Sequence, residues 1–239
     1  MNPLNGFEHL FNIFMPAGCP ICGRSTPVPG ICSDCKRNII YIEPPYCSIC
    51  GKPFVSGKGI SHICIDCIKG KSRFVKSRAV FEYNGLIAEL IQRFKFNDRV
   101  NLSSLFVNEL LNLYKADFFD EGINAIIPVP LSDKRLKQRS YNQARLLAKG
   151  LSRELSIPCY TDVIKKVKEI PPQSTLKADA RYNNVKHAYT VSGGDLLKER
   201  KVLLVDDVIT TGATVNACIA ALHRAGIKQV YTMAIAMRV

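Results

Sequence analysis

Two adjacent acidic residues, Asp206 and Asp207, stand between an apolar run and a segment of small hydroxyl residues in VLLVDDVITTGAT. The apolar run is typical of a buried strand, whereas neighbouring carboxylates repel each other and do not serve core stability. Vicinal ribose hydroxyls are natural partners for such carboxylates, because each carboxylate accepts hydrogen bonds at both oxygens. The stretch therefore predicts a site that holds a ribose at the end of a strand.

The small residues after the acidic pair are suited to an anion. They open an expected helix, whose first N–H groups and dipole favour a phosphate, and a glycine among them allows close backbone approach. The candidate phosphate-binding residues are Thr210, Thr211, Gly212, Ala213 and Thr214. An ATPase strand can also end in acidic residues, but it requires a G-x-x-x-x-G-K-[S/T] loop that the sequence lacks. A ribose 5-phosphate satisfies both halves of the stretch.

A second candidate site follows the sequence AIIPVP, where four cations fall within six residues. They are Lys134, Arg135, Lys137 and Arg139. Cations beside the end of a strand could bind a diphosphate, for which the planar arginine side chain is well suited. The alternative is a helix face that is simply solvated.

Eight of the ten cysteines form four Cys-x-x-Cys pairs between residues 19 and 67. Thiols in the cytosol stay reduced, so this spacing indicates metal binding rather than disulfides. Two such turns supply the four thiolates of a tetrahedral zinc site, which is closed and structural. We therefore predict two structural zinc ions, which fold a region that has little core of its own.

The two zinc sites are expected to follow each other along the chain. CPICG resembles CSICG and CSDC resembles CIDC, so the segment reads as one zinc-ribbon unit that has been duplicated. The predicted sites are Cys19, Cys22, Cys32 and Cys35, and then Cys47, Cys50, Cys64 and Cys67. A cross-braced pairing is the alternative. His62 could replace a ligand, but with four cysteines present we expect an ordinary surface histidine.

The chain reads as a small zinc-binding region followed by an α/β domain. We place the first at residues 1–72, including an N-terminal amphipathic helix, and the second at 73–239. Strands are expected at 79–83, 125–130, 201–207 and 229–237, with helices at 86–96, 101–114 and 212–225. This alternation predicts a doubly wound, mainly parallel sheet, in which ligands bind beyond the carboxyl ends of the strands.

The charge of the chain bears on its partners. The formal net charge is +13, and two tetrathiolate zinc sites would leave roughly +9, which favours phosphates or nucleic acid. The basic segment at residues 69–78 could follow a nucleic-acid backbone with Phe74 as a stacking face, or could be a linker in which Phe74 starts a strand. The absence of a secretory signal and of a long apolar run predicts a cytoplasmic protein without membrane insertion.

The arrangement of motifs resembles the ComF family. VLLVDDVITTGAT is similar along its whole length to the 5-phosphoribosyl-1-pyrophosphate (PRPP) motif of type I phosphoribosyltransferases. The double zinc ribbon, FKFND, PVPLSDKRLKQRSYNQA and the PRPP motif follow in the family's order. The resemblance implies a type I phosphoribosyltransferase fold, in which Asp206 and Asp207 hold the ribose and act in catalysis, the 210–214 loop holds the 5-phosphate, and the basic loop holds the pyrophosphate. It also implies Mg²⁺ bound with PRPP.

Two further segments are compared with the family. Its Arg-Gly-(Phe/Tyr)-Asn-Gln pattern has Ser140 in place of glycine, and Ser140 with Gln143 could form a capping box that starts a helix. Tyr141 and Asn142 could still face the pocket. Residues 171–191 resemble the hood over the acceptor site, with Gln173, Arg181 and Asn184 at family-like positions.

Two functions follow from the resemblance. The first is a phosphoribosyltransferase that binds PRPP or another phosphoribosyl ligand with Mg²⁺, linked to DNA uptake in natural transformation or to nucleotide salvage. The second is a non-catalytic competence factor that binds single-stranded DNA, contacts the DNA-uptake machinery and uses the PRPP site for regulation. No feature of the sequence identifies an acceptor.

Overall fold

The computed structural model describes residues 18–27, 30–54, 59–70, 72–96, 102–167 and 188–239. The expected N-terminal helix and the hood residues Gln173, Arg181 and Asn184 lie outside the described residues. Among the helices that are described, none combines the length and the apolar character needed to cross a membrane.

A parallel sheet lies at the centre of the α/β part. The described residues contain six strands: β1 (Ser77–Glu82), β2 (Ala125–Pro128), β3 (Ile164–Lys166), β4 (Tyr189–Val191), β5 (Lys201–Ile209) and β6 (Gln229–Met237). Four of them form a sheet in the order β1-β6-β5-β2, in which every pair is parallel. Strands β3 and β4 form a separate antiparallel pair. The parallel sheet confirms the predicted fold class.

Helices cover both faces of the parallel sheet. The described α-helices are α1 (Ser33–Lys36), α2 (Ile65–Ile68), α3 (Gly85–Phe96), α4 (Leu102–Asp117), α5 (Asp133–Arg139), α6 (Gln143–Leu155) and α7 (Ala213–Arg224). Alternate residues of β5 face opposite sides: Leu203 packs in one core with α3, α4 and α6, while Leu204 packs in a second core with α7. This alternation is the period of a strand buried on both faces.

Short segments bond to the two outer strands of the sheet. Residues 40–42 run antiparallel to β1, where the N–H of Glu82 donates to the carbonyl of Ile40 and the N–H of Ile42 donates to that of Val80, both at 2.9 Å. At the other edge, the N–H of Ile126 in β2 donates to the carbonyl of Pro158 at 2.9 Å. Both edges therefore have backbone partners.

Candidate functional site

The acidic pair lies inside β5 and not after it, because the strand continues to Ile209. The neighbouring strand β2 ends earlier, at Pro128, which is paired with Val205. Asp206 and Asp207 therefore pass the end of β2, while β6 still supports β5 on the other side through the pairing of Asp206 with Ala234. The shorter neighbour opens space beside the carboxylates at the carboxyl edge of the sheet, where parallel sheets bind their ligands.

A cavity of about 340 Å³ occupies this space. Both predicted carboxylates line it, together with side chains of the phosphate loop (residues 210–214) and of the basic loop (residues 134–139). The predicted site residues that the structure brings together here are Asp206, Asp207, Thr210, Ala213, Thr214, Arg135 and Arg139. The segment Val129–Ser132 after β2 and Val208 of β5 also line it. Four further side chains complete the described wall, and they are Tyr83, Lys95, Lys166 and Tyr189.

The two carboxylates differ in their surroundings. Asp207 is 8% exposed, and its Oδ2 lies 3.1 Å from Nζ of Lys95. Asp206 is partly exposed, and its Oδ1 accepts a 2.8 Å hydrogen bond from the backbone N–H of Asp207. Burial, and after it the charge of Asp207, raises the pKa of Asp206 well above its usual range. The free site therefore disfavours two full negative charges, and a cation or hydroxyl donors would relieve it.

The loop between β5 and α7 divides its residues between two cavities. Thr210, Ala213 and Thr214 line the cavity beside the acidic pair. Thr211 and Gly212, with Thr210, line a neighbouring cavity of about 310 Å³. The opposite wall of this cavity contains cysteines of the group between residues 47 and 67. Gly212 has φ 72°, a left-handed conformation that favours glycine, and it precedes α7 without a side-chain cap. The N–H of Ala213 donates to Oγ1 of Thr211 at 3.4 Å, so the expected anion site would use the N–H groups that follow Ala213 in the first turn of α7.

The basic loop reaches the cavity through its two arginines. Ser132 caps α5, with its Oγ accepting from the N–H of Arg135 at 3.4 Å. Arg135 and Arg139 line the cavity, and burial lowers the pKa of Arg139 from its usual value. Lys137 is exposed on α5 and lies outside this cavity. Of the predicted cations, Arg135 and Arg139 therefore face the cavity, whereas Lys137 lies on another face of α5.

The capping box predicted for Ser140 and Gln143 is wrong. Ser140 ends α5 in a left-handed conformation, with φ 64°, and the cap of α6 is Asn142, whose Oδ1 accepts from the N–H of Arg145. Gln143 is 1% exposed and bonds to Arg139 and to the backbone of Lys95. The left-handed conformation supplies a physical reason for glycine at this position of the family pattern.

Sequence reasoning missed four side chains of the cavity, which are Tyr83, Lys95, Lys166 and Tyr189. Lys95 is the central residue of the FKF sequence at the end of α3, and its signal in the sequence was the FKFND motif, to which no site role was assigned. Tyr189 begins β4 and is 3% exposed, and burial raises its pKa. No sequence pattern distinguished Tyr189 from a core aromatic residue.

The cysteines form two sequential clusters, as predicted, which excludes the cross-braced alternative. The Sγ atoms within each group, Cys19/22/32/35 and Cys47/50/64/67, lie within 4.8 Å of one another. The separations Cys22–Cys32 and Cys50–Cys64 are 3.7 and 3.8 Å between Sγ atoms. A tetrahedron with Zn–S bonds of about 2.3 Å has sulfur–sulfur edges of about 3.8 Å. The donor sets therefore fit zinc, and among the described residues His62 belongs to neither cluster.

Backbone N–H groups stabilise the thiolate form of one cysteine in each cluster. Sγ of Cys47 accepts from the N–H of Cys64 at 3.3 Å and from that of Cys50 at 3.4 Å. Burial alone would raise the pKa of Cys47, but these N–H donors outweigh it and lower the pKa to about 6. Cys19 in the other cluster has the same balance, and its pKa is also about 6. One thiolate of each cluster is therefore favoured before the ion binds, whereas burial raises the pKa of Cys35, Cys50 and Cys67, whose protons zinc would displace.

Some side chains of the basic segment at residues 69–78 make contacts inside the protein. Lys76 pairs with Glu121, and Arg78 pairs with Asp117 while only 5% exposed. Phe74 is half-buried against the core that contains α7. The described contacts therefore favour the linker interpretation of this segment over a nucleic-acid track.

Comparisons with known proteins agree with the two regions. A family of double zinc ribbon domains matches residues 10–68, and the phosphoribosyl transferase domain family matches residues 142–238. Competence protein F of Haemophilus influenzae is 34% identical over 215 residues, which cover 87% of this chain and 90% of the relative. Competence protein ComFC of Bacillus subtilis is 27% identical, covering 80% of this chain and 76% of the relative.

A third relative carries a different description. The DNA utilization protein YhgH of Escherichia coli K12 is 29% identical over 219 residues, with 89% of this chain and 93% of the relative covered. Each of the three relatives is matched over at least 80% of this chain. With its two four-cysteine clusters, its parallel sheet and this similarity over most of its length, the chain belongs to the ComF family.

Proposed function

We propose that the chain binds PRPP with Mg²⁺ in the 340 Å³ cavity and serves the handling of DNA that enters the cytoplasm. The convergence of an acidic pair, a phosphate loop and two arginines on one cavity carries the proposal. A phosphoribosyl diphosphate presents hydroxyls, a monoester phosphate and a diphosphate at three separate positions. These three sets of side chains match those three groups in chemistry.

Mg²⁺ fits this donor set together with the ligand. Asp206 and Asp207 are the acidic side chains among the described residues that line the cavity. Mg²⁺ in proteins is often held by one or two carboxylates with the remaining positions filled by substrate phosphates and water. When bound, it would neutralise charge on the diphosphate. The protein's own residues would do the rest of the positioning.

Each group of residues has a distinct role in the proposed mechanism. Asp206 and Asp207 accept hydrogen bonds from the ribose hydroxyls, and the 210–214 loop fixes the 5-phosphate. Arg135 and Arg139 stabilise the diphosphate as the bond to C1 of the ribose breaks and both bonding electrons leave with that group. The carboxylates support the positive charge that develops on the ribose. In a transfer reaction, an acceptor atom would give an electron pair to C1 and release a proton.

Calorimetry with the zinc-loaded chain tests the binding step. PRPP with Mg²⁺ should give a saturable heat, which the double variant Asp206→Ala/Asp207→Ala should lose. Glu199→Ala is a matched control, because Glu199 is exposed and outside the cavity. A wild type as silent as the double variant would contradict the proposal. Diphosphate release with candidate nucleobases then separates transfer from binding.

A second candidate function is direct binding of single-stranded DNA, with the PRPP site as a regulator. The names of the relatives, competence protein and DNA utilization protein, and the net charge of +13 favour it. Binding through phosphates should weaken steeply as salt rises. An affinity that does not change between low and moderate salt would contradict an electrostatic DNA site.

A further inference from the structure

An ion pair inside the proposed ligand cavity has no role in the function described so far. Nζ of Lys95 lies 3.1 Å from Oδ2 of Asp207, and both side chains are 12% exposed. Both line the same cavity as Arg135 and Arg139. Lys95 therefore contacts the same carboxylate oxygen that the ribose or a cation would use. A ligand that engages Asp207 must either share the carboxylate with Lys95 or displace it.

The backbone that carries Lys95 is held by contacts with the segment at residues 139–143. The carbonyl of Phe94 accepts from the hydroxyl of Tyr141, and that of Lys95 accepts from Nε2 of Gln143 at 3.3 Å. The ring of Phe96 lies 5.2 Å from the guanidinium carbon of Arg139. Successive residues of FKF are thus each held by a residue of the 139–143 segment. This arrangement aims Lys95 at the cavity.

Arg139 and Lys95 therefore differ in their freedom to move. Arg139 is stacked on Phe96, and its Nη1 donates to Oε1 of Gln143 at 3.3 Å. The lysine ammonium is a compact charge on four flexible methylenes, and its described polar contact is the carboxylate of Asp207. Of these two cations, Lys95 is the one that can change partners without moving the backbone.

The charges of the ligand supply a reason for such a change. The buried carboxylate of Asp207 needs a positive partner in the free protein, because an unpaired buried charge is costly. A divalent cation beside Asp207 would repel the ammonium group, and a diphosphate in the same cavity would attract it. Both effects act in the same direction. Ligand entry would therefore transfer Lys95 from one anion to another with little net loss of pairing.

We propose that Lys95 is a further ligand-binding residue, which neutralises Asp207 in the free protein and shifts its ammonium group to the diphosphate when ligand and divalent cation enter. The identity of the ligand rests on the proposed function. Lys95 and a divalent cation then compete for one carboxylate. Removal of the lysine charge should strengthen cation binding and weaken diphosphate binding, whereas a lysine that only stabilises the fold would not give opposite signs.

Two binding measurements on the zinc-loaded chain test this competition. Mn²⁺ binding is followed by loss of the free-ion paramagnetic resonance signal, and inorganic diphosphate binding is followed by calorimetry without divalent cations. Lys95→Met should bind Mn²⁺ about three- to tenfold more tightly, and diphosphate roughly tenfold more weakly, as loss of a charge-assisted contact implies. Lys115→Met, an exposed lysine on α4, should match the wild type in both.

Unchanged or weaker Mn²⁺ binding by Lys95→Met, or unchanged diphosphate binding, would overturn the inference. If that variant does not fold, Asp207→Asn is compared with Lys95→Met/Asp207→Asn, in which no acid is left unpaired. The double variant should still bind diphosphate roughly tenfold more weakly than Asp207→Asn, and equal affinities would overturn the inference. A wild type that binds diphosphate through Lys95 but gives no heat with PRPP and Mg²⁺ would contradict the proposed function and support the inference.

Discussion

Arg78 of β1 donates from Nε to Oδ1 of Asp117 at 2.8 Å, and this buried ion pair joins the second zinc cluster to the α/β domain. The terminal nitrogens of Arg78 donate to the carbonyls of Ser48 and Ile49, inside the turn between Cys47 and Cys50 of the second cluster. The hydroxyl of Tyr46 also lies 3.3 Å from the Asp117 carboxylate. The metal-binding turn and the end of α4 therefore share one arginine.

Removal of Asp117 should loosen the second cluster more than the first. Asp117→Ala leaves Arg78 buried and unpaired, so we expect a loss of about 3 kcal/mol in the free energy of unfolding. Zinc release to a colorimetric chelator should become biphasic, with half of the metal leaving faster. Arg24→Met removes a solvent-screened pair with exposed side chains in the first ribbon and should change the free energy of unfolding far less. Equal release of both ions by Asp117→Ala would contradict the expectation.

Ser140→Gly should stabilise the protein. Ser140 has φ 64°, and a left-handed residue with a Cβ costs about 1–2 kcal/mol. Glycine removes that cost but adds about 0.5–1 kcal/mol of chain entropy in the unfolded state. We expect the free energy of unfolding, measured with urea, to rise by roughly 0.5–1 kcal/mol. Ser140→Ala keeps the Cβ and should give no gain, so a similar gain in both variants would argue against backbone strain.

Asp206→Asn should stabilise the free protein increasingly as pH rises. The pKa of Asp206 is raised in the folded state by burial and then by Asp207, so the folded protein binds the proton more tightly than the unfolded chain. Stability is therefore lost as pH rises from the unfolded pKa of about 3.9 toward the folded one. Asparagine does not titrate, so the variant does not lose this stability. Its free energy of unfolding should exceed that of the wild type by on the order of 1 kcal/mol at about pH 8.

The measurement is urea unfolding of zinc-loaded protein between about pH 5.5 and about pH 8, where the thiolates keep their zinc. Asp120→Asn, at an exposed position outside the cavity, is the control that removes a carboxylate elsewhere in the chain. If the advantage of Asp206→Asn shrank as pH rose, the raised pKa would be contradicted.

Loss of the second zinc ion should impair the proposed phosphate loop. The 310 Å³ cavity is lined on one side by Cys50, Cys64 and Cys67 and on the other by Thr210–Gly212. Cys67→Ser should therefore weaken PRPP binding in calorimetry by roughly tenfold, because the loop loses a packed neighbour. Cys22→Ser in the first ribbon is the control and should weaken it much less. Equal losses in the two variants would show that zinc acts only through overall stability.

The sequence predicted elements well where a pattern was long and local. Strand β6 has the predicted bounds, and α7 differs from its prediction by one residue at each end, since apolar runs and a stop at Gly226 do not depend on distant residues. Strand β5 was predicted to end at residue 207, but pairing with β6 carries it to Ile209. That extension depends on a partner strand, which no local pattern reveals.

The site was predictable in its central motif and less so in its walls. Asp206 and Asp207 are consecutive and mark a site by their chemistry alone. Lys95 precedes them by more than 100 residues, and the direction of its side chain is set by contacts with Tyr141 and Gln143. The four cations of the basic loop looked equivalent in sequence, but helix α5 turns only some of them toward the cavity.

Residues 40–42, which bond to the outer side of β1, lie in the chain between the last cysteine of the first cluster and the first cysteine of the second. A four-cysteine cluster lies on each side of them along the chain, so we expect zinc binding to help hold them against the sheet. An uncovered outer strand offers its N–H and carbonyl groups to any other extended chain and promotes aggregation. Zinc starvation would therefore expose this strand edge and lower the solubility of the whole chain, so that the metal supply would limit how much of this protein a cell can keep.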